Sequence, residues 1–358
     1  MKTTDYQKAA WLTLVLVVAF VVGWELHWRH KNYDLSYNDD ESLWSSKRKL
    51  VYQSSPARPV LIGSSRIKFD LDLDTWERIT GEKPIQLSLV GTSPRPMLTD
   101  LGNDPNFRGT LLIDVTEGLF FSPSGSFPEK EAIKRVTAYP NWSLSQQISF
   151  QLNRVLESNL LFLDDGRLAL NPLLNLLPIP SRPGVWGGPQ FPHEFSINEF
   201  DRQTKMTPAF VADTTIQNKV KAVWMDIGAH SPKKPIDGPP LTEILNSTRQ
   251  SINQIRARGG KVLFIRTPSD GPMRQIEKQM YPRDLYWNRL LAHTQTPGIH
   301  FEDYPAMTRY KCPEWSHLTP ADAIPFTEDL IPIVQQKTGW PILQRPSTTR
   351  LSAASSSL

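Results

Sequence analysis

Residues 59–66 read PVLIGSSR, and the fold turns on how they are taken. Val60, Leu61 and Ile62 are apolar at consecutive positions, the pattern of a short strand covered on both faces. Gly63 lets the chain turn sharply, and Ser64, Ser65 and Arg66 lead into a segment able to turn helical. In an open α/β sheet, ligands bind beyond the carboxyl ends of the strands. A serine on the first strand-to-helix turn therefore stands where chemistry is done. Free N–H groups at a helix N-terminus would also favour negative charge beside Ser65. The plainer reading makes the serine a helix N-cap. A second constellation near the other end of the chain bears on the choice.

Outward from this turn, residues 76–80 fit a helix stopped by Gly81. IQLSL at 85–89 alternates as a strand and runs into a turn at Gly91, and 96–101 fits a short helix. TLLIDV at 110–115 reads as a third, fully buried strand. This strand–helix rhythm predicts a parallel sheet with crossover helices. It resumes after residue 240: a helix over 241–258 ended by Gly259 and Gly260, a strand KVLFIR at 261–266, a helix at 286–293, a strand at 298–302 and a last helix at 321–336.

Between these halves, 120–240 holds apolar pieces at 148–156, 160–163 and 168–177, then SRPGVWGGPQFP at 181–192. The chain has 31 prolines, many of them here, which predicts fixed turns and irregular connections. The expectation is an insertion with helices that caps the sheet or meets the membrane. Residues 168–179 carry Pro172 and Pro178 and are not read as a second span; VKAVWMDI at 220–227 fits a strand or a short helix.

Before the first strand, residues 9–24 form an unbroken uncharged run, AAWLTLVLVVAFVVGW, extended past Glu25 by Leu26 and Trp28. A spanning helix needs about 20 mostly apolar residues, and Trp11, Trp24 and Trp28 stand where indoles prefer the interface. No small-x-small cleavage site follows, so a retained anchor is expected rather than a cleaved signal. Basic residues flank both ends and do not orient the run. A short tail before one apolar segment favours the N-terminus inside, with the bulk of the chain periplasmic or extracellular. The expected organisation is a tail at 1–8, an anchor at 9–28, a stalk at 29–57 with a short helix around 41–53, an α/β domain at 58–340 with its insertion at about 120–240, and a disordered tail at 341–358.

No lysine–arginine block is long enough to argue for nucleic acid, so no nucleic-acid partner is expected, and the net charge of +4 fits an anionic bilayer surface. Cys312 is the only cysteine, so no intramolecular disulfide forms, and it reads as a small apolar residue near the site. His27, His30, His193, His230, His293 and His300 lack zinc-ligand spacing. Asp70, Asp72 and Asp74 alternate but lack the glycine and final glutamate of a calcium loop, and read as a solvated turn. No metal and no cofactor are expected.

CPEWSHLTP at 312–320 lies between the last strand and the last helix. Glu314, three residues before His317, can fix the tautomer of the imidazole and leave its other nitrogen to take a proton from Ser65. With this order of elements, GSSR at 63–66 and EWSH at 314–317, the chain resembles the SGNH/GDSL hydrolase superfamily over about 60–115 and 241–336. Ser64 replaces the aspartate of its Gly-Asp-Ser block, and Glu314 replaces the aspartate of its Asp-x-x-His block. The resemblance implies a three-layer, parallel-sheet α/β fold of flavodoxin-like type. It further implies Ser65 as nucleophile, His317 as base and Gly91 as oxyanion donor. The family's asparagine after the third strand is missing, since that strand runs into Asp114-Val115-Thr116-Glu117-Gly118; Thr116, Arg66 or the inserted region would have to stand in. Gly102-Asn103-Asp104 lies at the wrong end of that strand. Membrane-anchored relatives of this superfamily include proteins that transfer acyl groups to extracytoplasmic polysaccharides, often beside a membrane-bound O-acyltransferase. That architecture implies a serine esterase or O-acyltransferase with a glycan acceptor. The alternative is a binding or scaffolding protein that keeps the fold and has lost the oxyanion hole.

Overall fold

The computed structural model describes residues 3–174, 177, 187–232 and 234–343. In chain order it begins with α1 (Thr3–His30), α2 (Glu41–Arg48), β1 (Val60–Ile62), α3 (Ser65–Asp70), α4 (Leu73–Thr80), β2 (Ile85–Gln86), α5 (Arg95–Asn103), β3 (Thr110–Asp114), α6 (Glu117–Phe120) and α7 (Phe127–Ala138). Then come α8 (Leu144–Glu157), α9 (Leu170–Leu174), β4 (Ser196–Asn198), β5 (Thr204–Met206), α10 (Pro208–Ala212) and α11 (Thr214–His230). The last part holds α12 (Gly238–Ala257), β6 (Lys261–Arg266), α13 (Gly271–Met280), α14 (Trp287–Thr294), β7 (Gly298–His300), α15 (Pro305–Thr308) and α16 (Pro320–Thr338). The chain divides into two compact units, Ser46–Ala138 with Pro232–Leu358 and Met1–Ser45 with Tyr139–Ser231.

The first unit is an α/β fold on five parallel strands in the order β2-β1-β3-β6-β7. Alternation along the strands separates two faces. Leu61, Leu112, Leu263, Ile265 and Ile299 enter one buried cluster with Ile67, Trp76, Phe326 and Leu330 from α3, α4 and α16. Truncating a core residue such as Leu330→Ala would cost about 2–5 kcal/mol. On the other layer α12 packs against α5 and α14. Gly102 on α5 lies so close to α12 that a Cβ there would sit 2.9 Å from that of Ser251. From β1 the chain leads to β2 on one side, and β3 pairs on the other. The crevice where strand order reverses therefore opens between the ends of β1 and β3.

In the second unit, the 28 residues of α1 extend about 42 Å, and Asp5–His30 is long and apolar enough to cross a bilayer. Its C-terminal end is tied down. Glu25 accepts hydrogen bonds from the N–H groups of Leu161 (3.2 Å) and Phe162 (3.3 Å), and Arg29 donates to Glu25 (2.7 Å) and to the Asn159 carbonyl (2.6 Å). Trp28 is buried there with Leu161 and Leu168, against Trp24 and Tyr33. β4 and β5 form an antiparallel hairpin whose Arg202 pairs with Asp39 at 2.6 and 3.0 Å.

Several expectations change. The strand at 85–89 is only Ile85–Gln86; of the two readings of VKAVWMDI at 220–227 the helical one holds, inside the longer α11, whose N-cap is Asp213. Residues 29–57 are not a free polar stalk. Trp44 and Val51 are fully buried, and Arg48 is held by Asp100 at 2.8 Å and Asp104 at 2.7 Å. Helices α6 and α7 belong with the sheet, so the part expected as an insertion at about 120–240 separates from it only over Tyr139–Ser231. Ile342, expected in a disordered tail, packs into the core; 344–358 lie outside the described residues. So do 175–176 and 178–186, where parts of the apolar and proline-rich pieces fall.

Candidate active site

Gly63 is required by space: a Cβ there would meet the Cβ of Asp114 at 2.6 Å. This close approach brings the turn after β1 against the end of β3. Ser64 takes the N-cap position of α3, but its hydroxyl does not cap. It bonds to Thr116 Oγ1 (2.7 Å) and Asp114 Oδ2 (3.3 Å). Ser65 is the first residue of α3, so the N-cap reading falls on its neighbour and Ser65 is left for another partner.

That partner is His317. Its Nε2 lies 2.8 Å from Ser65 Oγ, and its Nδ1 lies 3.0 Å from Glu314 Oε1. The same carboxylate oxygen accepts from the backbone N–H of His317 (2.6 Å) and Ser316 (3.2 Å). Such a tight turn needs a residue in the left-handed region, and Trp315 supplies it with φ +79°, an outlier for a bulky side chain. Trp315 is held in place by its carbonyl, which accepts from Asp270 N–H (2.8 Å), and by its indole packed on Gly271. Both Glu314 and His317 are sealed from solvent, and Ser65 is nearly so. With a carboxylate on Nδ1 the ring hydrogen stays there. Nε2 is then the acceptor for the Ser65 O–H.

Helix α3 seats this loop along one face. Positions 65, 66, 69 and 70 fall on one side of a helix, and each meets the loop. Ser65 bonds His317, Arg66 Nε donates to Ser316 Oγ (3.4 Å), Phe69 stands against the imidazole with centroids 4.3 Å apart, and Asp70 Oδ1 accepts from Leu318 N–H (2.9 Å). The expected solvated turn at Asp70, Asp72 and Asp74 is thereby corrected. Asp70 is fully buried, Asp72 caps α4 by accepting from Thr75 N–H (2.7 Å), and only Asp74 is exposed. Among the described residues no His, Cys, Asp and Glu cluster could hold a metal.

Two of the expected oxyanion donors, Thr116 and Arg66, are engaged with other groups. Thr116 Oγ1 is engaged by Ser64 and donates to Asp114 Oδ2 (3.1 Å). Arg66 Nη2 pairs with Glu277 and contacts Met273 Sδ (3.2 Å), while its Nη1 is buried without a hydrogen bond among the described residues. Gly91 lies on an exposed turn with φ +67°, and nothing stands within 4 Å of where its Cβ would be. Leu89 N–H donates to the Gly63 carbonyl (3.2 Å), which holds that turn beside the end of β1. Asn103 closes α5 and accepts from Gln254 (3.2 Å) in the α5–α12 contact.

Sequence reasoning missed the ion cluster beneath the site. Glu277 on α13 binds Arg66 with one oxygen; with the other it accepts from Arg266 and from Ser269 Oγ (2.6 Å). Arg266 also donates to Glu117 Oε1 at 3.1 Å. Burial opposes ionisation of Glu277, but Arg266, then Arg66, then Ser269 outweigh it and hold the carboxyl well below its usual range. Asp70 and Asp114 go the other way. Burial raises both, with the charge of Asp114 adding at Asp70. The missed signal was Asp270-Gly271-Pro272, a cap followed by a proline in the first turn.

No family model matches the chain, and no curated protein matches it.

Proposed function

We propose that this chain is a membrane-anchored, SGNH-like serine esterase or O-acyltransferase acting on an ester-linked acyl group of an extracytoplasmic glycan. The observation that carries the reading is the continuous hydrogen-bonded run Ser65–His317–Glu314 at the sheet's switch point. Ser65 Oγ attacks the acyl carbonyl while its proton passes to His317 Nε2, and Glu314 stabilises the imidazolium. The leaving alcohol takes that proton, and the acyl group stays on Ser65. Water then yields the acid, or a sugar hydroxyl yields a new ester, with His317 again carrying the proton. The N–H groups of Gly91 and Ser65 are the donors assigned to the oxyanion. Placement of the catalytic unit outside the cytoplasm, and work beside a membrane-bound O-acyltransferase, follow from the resemblance and the apolar α1.

A fluorophosphonate probe on the full chain in detergent tests the reading by intact mass. One adduct is expected, lost in Ser65→Ala and in His317→Ala; an adduct that survives Ser65→Ala removes the assignment. The commitment of Thr116 to Ser64 and Asp114 favours a second reading, a non-catalytic scaffold on the same fold. That reading predicts a folded chain that takes no adduct.

A further inference from the structure

Helix α8 is packed inside out. Its polar and aromatic side lies against its own unit: Phe150 stacks on Phe200 (6.3 Å), Arg154 lies over the same ring (4.2 Å), and Glu157 accepts from the Asn38 amide (3.3 Å). Leu144, Ile148, Leu152, Val155 and Leu156 run down the opposite side at spacings of four, four, three and one. They are 72, 55, 64, 62 and 48% exposed. Among the described residues this continuous aliphatic stripe is left uncovered, and such a stripe calls for an apolar partner.

We propose that this stripe lies in the lipid interface, as a second membrane contact beside α1. The argument is continuity along the chain. Leu156 accepts from Asn159 N–H, and Asn159 in turn accepts from Arg29 at the end of the apolar α1. Leu161 and Phe162 then dock on Glu25. Trp24, Trp28 and Tyr33 gather at this level, as aromatic residues do at a bilayer surface. Leu152, Val155 and Leu156 lie within seven residues of Asn159, about 10 Å of helix. They stand within reach of the surface that those rings mark. A helix lying in the interface sinks its apolar side about 5–10 Å into the headgroup boundary.

The inference rests on α1 being membrane-embedded, and not on the esterase reading. Full-length protein is reconstituted into phosphatidylcholine–phosphatidylglycerol vesicles, with a nitroxide on Leu152→Cys or Val155→Cys. Cys312 is buried and stays in place. Collision with oxygen is compared with collision with a water-soluble nickel chelate present on both sides. Asn106→Cys, at an exposed polar position, is the aqueous reference, and Val17→Cys reports α1. Positions 152 and 155 should favour oxygen over nickel, with a depth of about 5–10 Å. Nickel collision equal to that at 106 overturns the proposal. Protection from both reagents also overturns it, since the stripe is then covered by protein. An aqueous Val17 overturns it together with the anchor, while leaving fluorophosphonate labelling of Ser65 as a separate matter.

Discussion

In the α/β unit the fully buried Arg266 meets the largely buried Glu277, with Arg66, Glu117 and Ser269 around them. In the other unit Leu152 and Val155 stand mostly in the open on a helix whose inner side carries Glu157. The first arrangement costs desolvation and holds only if every charge finds its partner. The second leaves hydrocarbon in water unless another apolar phase covers it. Each unit breaks the ordinary rule of burial, in opposite senses. The charges converge on α3 and the loop after α15, where geometry must be kept, and the aliphatic stripe lies on a surface.

The comparison breaks most sharply at Ser65. If its polar surroundings serve packing alone, Ser65→Ala leaves activity and labelling unchanged. The expected outcome is a loss of ester turnover on the order of 10⁶. Glu314→Gln should cost about 10⁴ by disturbing the tautomer, read as the labelling rate of a folded variant. Next in size is Glu277→Ala, which leaves Arg266 and Arg66 buried without their shared counter-charge. Denaturant unfolding should show a loss of about 3–5 kcal/mol.

A smaller and pH-dependent effect belongs to Asp70→Asn. The folded state raises the carboxyl of Asp70, so its contribution is full below the ordinary carboxylate range and is lost as pH rises through the raised value. Asparagine keeps the bond to Leu318 without ionising. The variant should therefore melt above the parent at pH 8, with the gap closing toward pH 4. Glu277 is depressed, so the ion cluster should persist into acid and fail only below the ordinary carboxylate range. The smallest effect sharpens the contrast from the other side. Leu152→Ser in detergent solution should change stability by no more than about 0.5 kcal/mol, because the side chain is mostly exposed.

Much of the α/β unit was legible because its strands are apolar runs and its helices end at glycines; Gly81, for instance, adopts the left-handed cap expected of it. The contact of Ser65, His317 and Glu314 was legible because a serine on the first strand-to-helix turn and a Glu-x-x-His loop before the last helix are both marked by residue type and order. Glu277 was not, since GPMRQIEKQM gives a surface-like mixture and its partner Arg66 is 211 positions away. The stripe of α8 appears in the sequence as period, but periodicity says that a face is apolar and not whether the molecule covers it. β4 and β5 are three residues each, too short for alternation to register.

Cys312 sits two residues before Glu314, buried, with its thiol raised by that burial and then by Asp70 and Glu314. Alkylation of the native protein must wait until the segment lifts from α3 and the thiolate can form. Since Cys312 is the chain's sole sulfhydryl, each modified molecule records one such departure. The alkylation rate is then a clock for how often the His317 loop leaves its seat, and no engineered label is needed to read it.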